Sequence, residues 1–518
     1  MVKKTDILTA AASGALLITG FQPLDYSLVT WFALVPLLIA VRDKSARTSL
    51  LLGTLAGLVF FLGTIYWVSH SMYVYGNLPA AASFLILFLL CLYLALYTGV
   101  FALLFNFLSR RSSAPALLTV PVLWVALEYI RTYALTGFPW ALLGYSQYKL
   151  LPVIQIADIT GVYGVSFLVA ALNGAVFDVF SCRQKSHGMR PPAGWPLAAA
   201  AIVYAVAVTM VFFYGVEKLK KAGNWQGFRV AVVQGNIEQD KKWNVKFQRE
   251  VIDTYKRLTI RAAKTAPQII VWPETALPFI FGYNKELTEE FVSFQKGLGT
   301  YLLFGTVIVK NIGADESMMS NSAVLLSPEG NIVSIYDKIH LVPYGEYVPL
   351  RRFFPFIEKL TAGTGDFLAG KETVVMKTPY AKIGNLICYE IIFPGLVRKF
   401  AGRGADVLVT ITNDAWFGRT SAPYQHFAMA VFRAVENRVP VIRAANTGIS
   451  GFIDSRGRIT GKSDIFVEAV LTEEIACGDG KSIYTRYGDI FAYSCILVSV
   501  LLLAVNMFSS GRRPKFSA

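Results

Sequence analysis

Charged residues are scarce in this sequence. They make up 16% of its 518 residues, against about a quarter in an average soluble protein. Hydrophobic residues make up 54%. This balance excludes a chain that lies wholly in water, and the length allows two or more domains. The sequence therefore predicts a protein that is partly embedded in lipid.

Cysteine and histidine are also rare, with five and four residues. The cysteines show no CxxC pair and no metal-ligand spacing, so neither a disulfide scaffold nor a zinc site is indicated. Only Cys388 and Cys477 fall in the polar part of the chain, and a bridge between them is not favoured. No repeat period and no low-complexity segment is found. We expect no metal ion and no cofactor.

Long apolar runs indicate membrane spans, seven of them in the first 215 residues and an eighth near the C-terminus. A bilayer core needs about 20 helical residues at a rise of 1.5 Å each, and most runs approach that length. The first run has the length of a signal-peptide core, but further spans follow it directly, so we interpret it as a retained helix. The runs are Ile7–Phe21, Ser27–Val41, Leu50–Val68, Ala80–Leu108, Ala114–Tyr129, Val162–Val179, Trp195–Tyr214 and Ile490–Phe508.

Lysine and arginine are distributed unevenly outside residues 216–487. Thirteen of these fifteen residues fall in the N-terminus, in every second loop and in the C-terminus, while the alternate loops hold only Arg131 and Lys149. Positively charged connections stay in the cytosol. Eight spans with both termini in the cytosol fit this pattern, so segment 216–487 is expected on the opposite, outer face of the membrane.

The polar segment has a different pattern, in which short strand-like apolar runs alternate with longer helix-like runs. Strands that are apolar on both faces need helices to cover their sheet, so we expect an α/β domain. The sequence thus predicts seven spans in 1–215, a soluble domain in 216–487, and the eighth span with a cytosolic tail in 488–518. The strand candidates are Arg229–Gln234, Ile269–Trp272, Tyr301–Val309, Ala323–Leu326, Ile332–Tyr336, Lys382–Ile387, Val407–Thr412 and Val439–Ala444; the helix candidates are Phe247–Lys264, Lys285–Gly297 and Ala422–Asn437.

Three predicted strands of this domain run into reactive side chains, which are Glu274, Lys338 and Cys388. Taken singly, each is more commonly a surface residue or a packed one. Reactive groups collect at strand ends in open α/β sheets. Cys388 also lies at a turn from a strand into a helix, where backbone N–H groups favour a thiolate and a developing oxyanion. The three residues together predict an active site.

These residue types supply the parts of a reaction at a carbonyl group. A free thiol has a pKa of about 8.5, so little thiolate exists at neutral pH, and Glu274 would accept its proton as general base. Lys338 would stabilise the thiolate and the oxyanion that forms after attack. A thioester would then be open to a second nucleophile. A cysteine–histidine pair that uses His340 or His426 is the alternative, and it is not favoured.

Short motifs around these residues resemble the nitrilase (carbon–nitrogen hydrolase) superfamily with its Glu-Lys-Cys triad. Seven spans before the domain and one after it make the whole chain resemble a membrane-embedded branch of that superfamily, the apolipoprotein N-acyltransferases of Gram-negative bacteria. The motifs are Trp-Pro-Glu-Thr around Glu274, Asp-Lys-Ile-His-Leu-Val-Pro-Tyr-Gly-Glu at 337–346, Ile-Cys-Tyr-Glu around Cys388, Thr-Asn-Asp-Ala-Trp-Phe-Gly at 412–418 and Arg-Ala-Ala-Asn-Thr-Gly at 443–448.

The resemblance implies a fold and roles for individual residues. The fold is an αββα sandwich for 216–487. The roles are general base for Glu274, oxyanion stabiliser for Lys338 and nucleophile for Cys388. Supporting or substrate-contacting roles follow for four further residues: Trp243, Glu346, Tyr389 and Glu390.

The resemblance also implies a reaction and a location. A fatty acyl chain would pass from a membrane phospholipid to Cys388 as a thioester, and then to the N-terminal α-amine of the S-diacylglyceryl cysteine of an apolipoprotein. This ping-pong transfer is the final step of bacterial lipoprotein maturation. The expected protein is a monomer of the inner membrane with a periplasmic catalytic domain, and its partners are the bilayer, the phospholipid and the apolipoprotein.

Other functions remain open from the residues alone. A membrane-tethered amidase or nitrilase would use the same triad with water as second nucleophile. A transporter should hold ionisable residues near the membrane centre, whereas Glu128 and Asp178 lie near span ends. A nucleic-acid partner is not expected, because orientation accounts for most excess charge outside the soluble domain. The aromatic stretch Leu350–Leu360, with Phe353 and Phe354, is expected either to form a lipid-facing lid or simply to pack.

Overall fold

The chain is described by a computed structural model over residues 2–76, 78–183, 194–220, 227–311, 317–347, 367–478 and 480–508. It forms two compact units. The first comprises Met1–Tyr66, Phe84–Lys220 and Tyr487–Ala518, and the second comprises Trp67–Ser83 and Lys221–Arg486. The predicted lid, Leu350–Leu360, lies outside the described residues.

The first unit consists of helices, and the second contains helices and strands. In chain order the α-helices are α1 (Lys4–Thr19), α2 (Val35–Val41), α3 (Ala46–Thr64), α4 (Trp67–Val74), α5 (Ala80–Arg111), α6 (Ala116–Tyr133), α7 (Leu151–Ile154), α8 (Ala157–Thr160), α9 (Val162–Arg183), α10 (Gly194–Lys220), α11 (Gln239–Lys242), α12 (Gln248–Ala263), α13 (Lys285–Lys296), α14 (Pro394–Gly402), α15 (Ala422–Asn437), α16 (Ile483–Tyr487) and α17 (Ile490–Phe508).

Five of the described helices are long and apolar enough to cross a membrane: Ala46–Thr64, Ala80–Arg111, Val162–Ser181, Leu197–Lys220 and Ile490–Phe508. They correspond to the third, fourth, sixth, seventh and eighth predicted runs. The first, second and fifth predicted runs are not among these five helices. The run Ser27–Val41 is not one helix but a 3₁₀ turn, Ser27–Trp31, followed by the short α2, which has a proline in its first turn. Proline is favoured there because its missing N–H has no intrahelical partner in that turn.

The second unit contains two six-stranded sheets. One has the order β12-β1-β2-β3-β4-β5 and the other has the order β11-β10-β9-β8-β7-β6. The strands are β1 (Gly227–Gln234), β2 (Ile269–Val271), β3 (Tyr301–Asn311), β4 (Ser317–Leu326), β5 (Ile332–Asp337), β6 (Val375–Lys377), β7 (Lys382–Ile387), β8 (Val407–Thr412), β9 (Val441–Ala445), β10 (Gly451–Ile453), β11 (Ile459–Lys462) and β12 (Ala469–Ala476).

These sheets form the two inner layers of the unit. Strands β1 and β9 from different sheets contact each other, as do β4 and β7. Helix α12 covers β1, β2 and β12, while α14 lies on β7 and α15 on β9 and β10. The face of α12 that meets its sheet carries Tyr255, Leu258 and Ala262, which recur at the spacing of an amphipathic helix. The predicted αββα sandwich is the architecture of this unit.

The parallel strands of each sheet place the carboxyl ends of their strands side by side. Val232 of β1 is in register with Val271 of β2. Ile387 of β7 is in register with Ile411 of β8, and β9 follows in the same direction. Residues that follow these strands therefore meet at one edge of each sheet, and that is where the polar motifs lie.

A short segment from the N-terminal half of the chain also belongs to the second unit. Helix α4 packs on the turn Asp414–Phe417, where the rings of Trp67 and Phe417 lie 4.8 Å apart and Ser71 Oγ donates to the carbonyl oxygen of Trp416 at 2.7 Å. The sequence had placed Trp67–Ser83 with the membrane spans. Hydrophobicity gives no sign of this packing, because an apolar aromatic helix fits either environment.

Candidate active site

Cys388 begins the 3₁₀ turn Cys388–Ile392, directly after β7 and before α14. Its φ is 53°, in the left-handed region that costs a side chain with a Cβ about 1–3 kcal/mol. The residue is 8% exposed. The register of β7 and β8 places it beside Thr412. The strained turn therefore carries the thiol out of the strand at the carboxyl edge of the sheet.

Glu390 holds this turn against the segment that follows Lys338. One carboxylate oxygen accepts from the Tyr336 hydroxyl and the Ile339 amide, each at 2.7 Å, and from the His340 amide at 3.1 Å. The other oxygen accepts from the Ile387 amide at 2.7 Å. Burial raises the pKa of Glu390 to about 7, although these donors oppose the shift. Glu390 thus links the end of β7 to the end of β5.

Lys338 is 1% exposed and faces two carboxylates. Its Nζ donates to Glu346 Oε1 at 2.9 Å and to Glu274 Oε1 at 3.4 Å. Burial alone would lower the pKa of Lys338, but Glu346, Glu274 and the Cys388 thiolate outweigh it, so the net shift is upward. Lys338 therefore stays an ammonium group over the physiological range of pH.

The Glu274 carboxylate is held from several sides. Asn321 Nδ2 donates to its Oε1 at 2.7 Å, and the Asn413 amide donates to its Oε2 at 2.9 Å. Asn321 Nδ2 also donates to Glu346 Oε1 at 2.9 Å, so a single amide group bridges the two carboxylates. A general base needs a fixed geometry, and these contacts provide it.

The thiol of Cys388 lies within electrostatic range of both other members of the predicted triad. Burial raises its pKa to about 12; the Glu274 charge adds to this increase, and the Lys338 charge opposes it. The resting site therefore holds a protonated thiol beside an ammonium and a carboxylate. Such a thiol needs a base to accept its proton before it can attack a carbonyl.

The two candidate histidines have other contacts. His426 Nε2 donates to the main-chain carbonyl of Cys388 at 3.2 Å, while its Nδ1 lies 3.2 Å from Asp414 Oδ1 and 2.9 Å from Arg443 NH2. His340 stacks on Phe393 with ring centroids 3.8 Å apart. Burial lowers the pKa of both imidazoles, that of His340 to about 4. Neither arrangement favours a cysteine–histidine pair.

The four predicted supporting residues occupy different positions. Glu346 and Glu390 contact the triad segments as described above, and Glu346 Oε2 also accepts from the Val342 amide at 2.8 Å. Tyr389 follows Cys388 in the turn, and its ring packs on Phe393 at 5.1 Å. Trp243 is 39% exposed just after α11. The two carboxylates therefore lie inside the site, and the two aromatic residues lie on segments that flank it.

Residues that the sequence prediction left without a role complete the site. Asn413 and Arg443 lie in motifs that carried the resemblance, so the motifs already pointed to them. Asn321 lies inside β4 and has no local signal. Lys242 is 1% exposed, and its Nζ donates to the main-chain carbonyl of Glu274 at 2.9 Å. The sequence shows that Lys242 precedes Trp243, but it does not show which of the two side chains is buried.

The donor set of this site is not that of a metal centre. Over the described ranges, histidine, cysteine, aspartate and glutamate residues form no group of three that could hold a metal ion. The site instead alternates carboxylates with an ammonium group, an arrangement that moves protons and stabilises anions.

Comparison with protein families gives the class of this site. Residues 229–484 match the Carbon-nitrogen hydrolase family, and the second unit has that nitrilase-like fold. Residues 13–175 match the family described as Apolipoprotein N-acyltransferase N-terminal domain. A chain that carries both is a membrane-associated member of the carbon–nitrogen hydrolase class.

Curated relatives narrow this class. The chain is 43% identical over 505 residues to the apolipoprotein N-acyltransferase of Geobacter metallireducens, covering 97% of this chain and 96% of the relative. It is 32% identical to the enzymes of the same name from Pasteurella multocida and Haemophilus influenzae, with coverage of at least 95% of each chain. The chain belongs to the apolipoprotein N-acyltransferase family.

Solved structures match about half of this chain at low identity. One is a mutant of the amidase from Nesterenkonia sp. AN1, 18% identical, covering 52% of this chain and 98% of that one, with a TM-score of 0.39. Another is a carbon-nitrogen hydrolase from Helicobacter pylori G27, 16% identical, covering 51% and 95%, with a TM-score of 0.40. Because both TM-scores are below 0.5, nothing about function follows from them.

Proposed function

We propose that Cys388, Glu274 and Lys338 carry out the acyl transfer of this family in two steps. In the first, Cys388 attacks the ester carbonyl of a membrane phospholipid, and Glu274 accepts the thiol proton. The tetrahedral oxyanion collapses, the C–O bond to glycerol breaks, and the proton passes to the departing lysophospholipid. The acyl chain remains on Cys388 as a thioester.

The second step transfers the chain to an amine. The free α-amine of an S-diacylglyceryl cysteine, at the N-terminus of an apolipoprotein, attacks the thioester carbonyl. Glu274 accepts a proton from the amine, the C–S bond breaks, and the Cys388 sulfur takes that proton back. The products are an amide on the lipoprotein and the resting thiol. Lys338 stabilises the oxyanion in both steps.

One observation carries this proposal. The buried Cys388 thiol lies in the field of the Glu274 carboxylate and the Lys338 ammonium, and both of these groups are fixed by hydrogen bonds. Glu346 and Glu390 hold Lys338 and the Cys388 turn, while Trp243 and Tyr389 are proposed to contact the lipid substrates. A membrane amidase with the same triad is not favoured, because curated relatives over nearly the whole chain are named acyltransferases.

The surroundings of the reaction are proposed from the charge pattern. Eight spans, in 1–215 and 488–518, with both termini in the cytosol, would place the domain 216–487 in the periplasm of the inner membrane. The apolar helices already identified support lipid embedding. Maleimide labelling of intact spheroplasts tests the orientation. A cysteine introduced at the exposed Lys377 should react and one at Arg111 should not; the reverse labelling would overturn the orientation.

The proposed chemistry is tested by substitution of the nucleophile. Purified full-length protein, Cys388→Ala and Cys388→Ser are each incubated with phospholipid and a diacylglyceryl peptide, and the peptide mass is followed. We expect N-acyl peptide from the native chain alone. Full N-acylation by either variant would overturn the assignment of Cys388. Release of free fatty acid without N-acyl peptide would point to hydrolysis instead.

A further inference from the structure

Lys242 is a buried lysine beside the predicted triad that no motif had singled out. It is the last residue of α11, it is 1% exposed, and its Nζ donates to the main-chain carbonyl of Glu274 at 2.9 Å. Lys241, its neighbour, points outward and pairs with Glu238 at 3.4 Å, with a side chain that is 36% exposed. Two adjacent lysines thus have opposite environments, and only one of them reaches the site.

The surroundings of Lys242 differ from those of two other buried cations of the second unit, Lys338 and Arg443. Lys338 faces Glu346 and Glu274, and Arg443 NH2 lies 2.8 Å from Asp414 Oδ2. Across the residues that the structure describes, Lys242 Nζ has a neutral carbonyl as its acceptor and no carboxylate within 4.0 Å. An ammonium has three N–H donors, and a buried charge without an ion pair costs free energy. The charge of Lys242 is therefore stabilised mainly by the anions of the site that lie farther away.

The groups that act on Lys242 indicate that role. From other segments the carboxylate of Glu274 and the thiolate form of Cys388 face it, and its own short helix contributes Asp240 and Lys241. Burial lowers the pKa of Lys242 to about 8, and the two anions of the site oppose that decrease. The charge of Lys242 therefore depends on pH in the neutral to mildly basic range.

The charge balance of the site favours a second cation. Two carboxylates, Glu274 and Glu346, surround the single ammonium of Lys338, so these three groups carry a net negative charge. Proton transfer from Cys388 to Glu274 moves that charge onto sulfur, and attack on a carbonyl moves it onto oxygen. Lys338 has N–H donors committed to both carboxylates, whereas Lys242 has donors without a described acceptor. A positive charge here lowers the energy of each anion in turn.

We propose that Lys242 is a second cation of the active centre, a positioning residue that fixes the main chain of Glu274 and stabilises the negative charge as it passes to Cys388 and the bound carbonyl. This inference rests on the proposed function and deepens it. It predicts that acyl transfer depends on the protonation of Lys242 as well as on the triad.

Three substitutions separate charge from shape. Lys242→Met removes the charge and keeps a long side chain, Lys242→Arg keeps the charge, and Lys241→Met is the matched control. The measurement is the rate of acyl-thioester formation on Cys388 in purified full-length protein with phosphatidylethanolamine micelles, from pH 6 to pH 9, by intact mass. Lys242→Met should lower the rate by about 10²-fold, as expected when a cation that positions the reacting groups and stabilises their charge is lost, and Lys241→Met should leave it unchanged.

The pH profile is the readout that a purely structural role would not move. The native rate should fall above about pH 8, where Lys242 loses its proton; Lys242→Met should lack this basic limb. Lys242→Arg should retain most of the rate and carry the limb to higher pH, because a guanidinium stays protonated. An unchanged rate and limb in Lys242→Met, or a Lys242→Arg variant as slow as Lys242→Met, would overturn the proposal.

A second probe keeps this outcome distinct from failure of the proposed function. Alkylation of Cys388 by chloroacetamide, a neutral electrophile, needs no acyl donor and also depends on stabilisation of the thiolate. If native protein forms no acyl thioester, the proposed function fails, and the alkylation rates of the three variants still decide the role of Lys242: slower alkylation in Lys242→Met alone supports it, and equal rates overturn it. Thermal melting identifies a misfolded Lys242→Met variant, in which case the profile of Lys242→Arg decides.

Discussion

The main-chain carbonyl of Cys388 accepts a hydrogen bond from Nε2 of His426, 3.2 Å away. The imidazole therefore supports the strained turn that presents the thiol. Its other nitrogen lies against Asp414 and Arg443, so a buried charged pair fixes the ring. In the proposed mechanism, histidine thus holds the backbone of the nucleophile, and the proton of the thiol passes to a carboxylate.

Replacement of His426 should impair acylation through the position of Cys388. In His426→Ala the Cys388 carbonyl loses its donor, and a displacement of about 1 Å costs on the order of 10²-fold in rate. In His426→Gln an amide N–H can replace the donor in part, so a smaller loss is expected. Single-turnover acylation of Cys388 checks both variants. A native rate in His426→Ala would contradict the role.

Asn321 should control the two carboxylates around Lys338. Asn321→Leu removes the shared donor from Glu274 and Glu346, and Asn321→Asp adds a third carboxylate that repels both. We expect both variants to lose N-acylation of a diacylglyceryl peptide, with Asn321→Asp the slower of the two. Asn331→Asp, on the exposed turn before β5, is the control for added charge. The reverse order, or no loss, would contradict this account.

Gly418 should be required for two separable reasons. Its φ is 59°, and a Cβ there would lie 2.3 Å from His70 Nε2. Gly418→Ala should therefore destabilise the protein by more than backbone strain alone, which is about 1–3 kcal/mol. Gly282→Ala isolates the strain, because its φ is 81° and nothing lies within 4 Å of its Cβ. Thermal unfolding of both variants, and of Gly418→Ala with His70→Ala, measures the difference.

The expected order of melting temperatures is Gly282→Ala highest, the double variant next and Gly418→Ala lowest. Removal of His70 relieves the steric clash and leaves the strain. Equal melting temperatures for Gly418→Ala and Gly282→Ala would show that α4 does not press on this turn.

The buried thiol of Cys388 should lose its proton only at high pH. In Glu274→Gln, where the proposed base is absent, the rate of alkylation of Cys388 by chloroacetamide should still be rising at pH 10, by about tenfold per pH unit while the thiol is mostly protonated. The alkylation rate of a cysteine introduced at the exposed Lys377 should instead level off above the ordinary thiol pKa of about 8.5. The pKa of Cys388 is higher in the folded protein than in the unfolded chain. The protonated thiol therefore makes its full contribution to the free energy of unfolding below about pH 9, and this contribution decreases as the pH rises toward 12. If the alkylation rate of Cys388 levelled off at the same pH as that of the control cysteine, burial would not raise the pKa of this thiol.

Much of the second unit could be predicted from the sequence. Strands β7 and β8 and helix α15 have the predicted bounds, since apolar runs of strand or helix length with clear breakers define them. Four strands were missed, which are β6, β10, β11 and β12. Strand β11 is largely exposed, and β12 carries Thr472, Glu473 and Glu474, so edge strands of this kind show no hydrophobic pattern. Such segments are recognised as strands only from their pairing with neighbouring strands in the structure.

The residues of the site also fall into two groups, those that could be predicted from the sequence and those that could not. Glu274, Lys338 and Cys388 each follow a recognisable strand inside a motif, so their roles could be proposed from sequence. Asn321 and Lys242 act through contacts with residues distant in the chain, and no local pattern reveals such contacts. The break of the second predicted span at Pro36 has a local cause, but hydrophobicity alone favoured a continuous helix.

In the proposed mechanism, the Cys388 sulfur carries the acyl chain between its two substrates. Intact-mass measurement after native full-length protein meets a phospholipid of defined chains tests it most directly. We expect one added acyl group on Cys388, which is sensitive to neutral hydroxylamine and is lost as the N-acyl peptide appears when a diacylglyceryl peptide is added. Formation of N-acyl peptide at the native rate without any acylated Cys388 would contradict it.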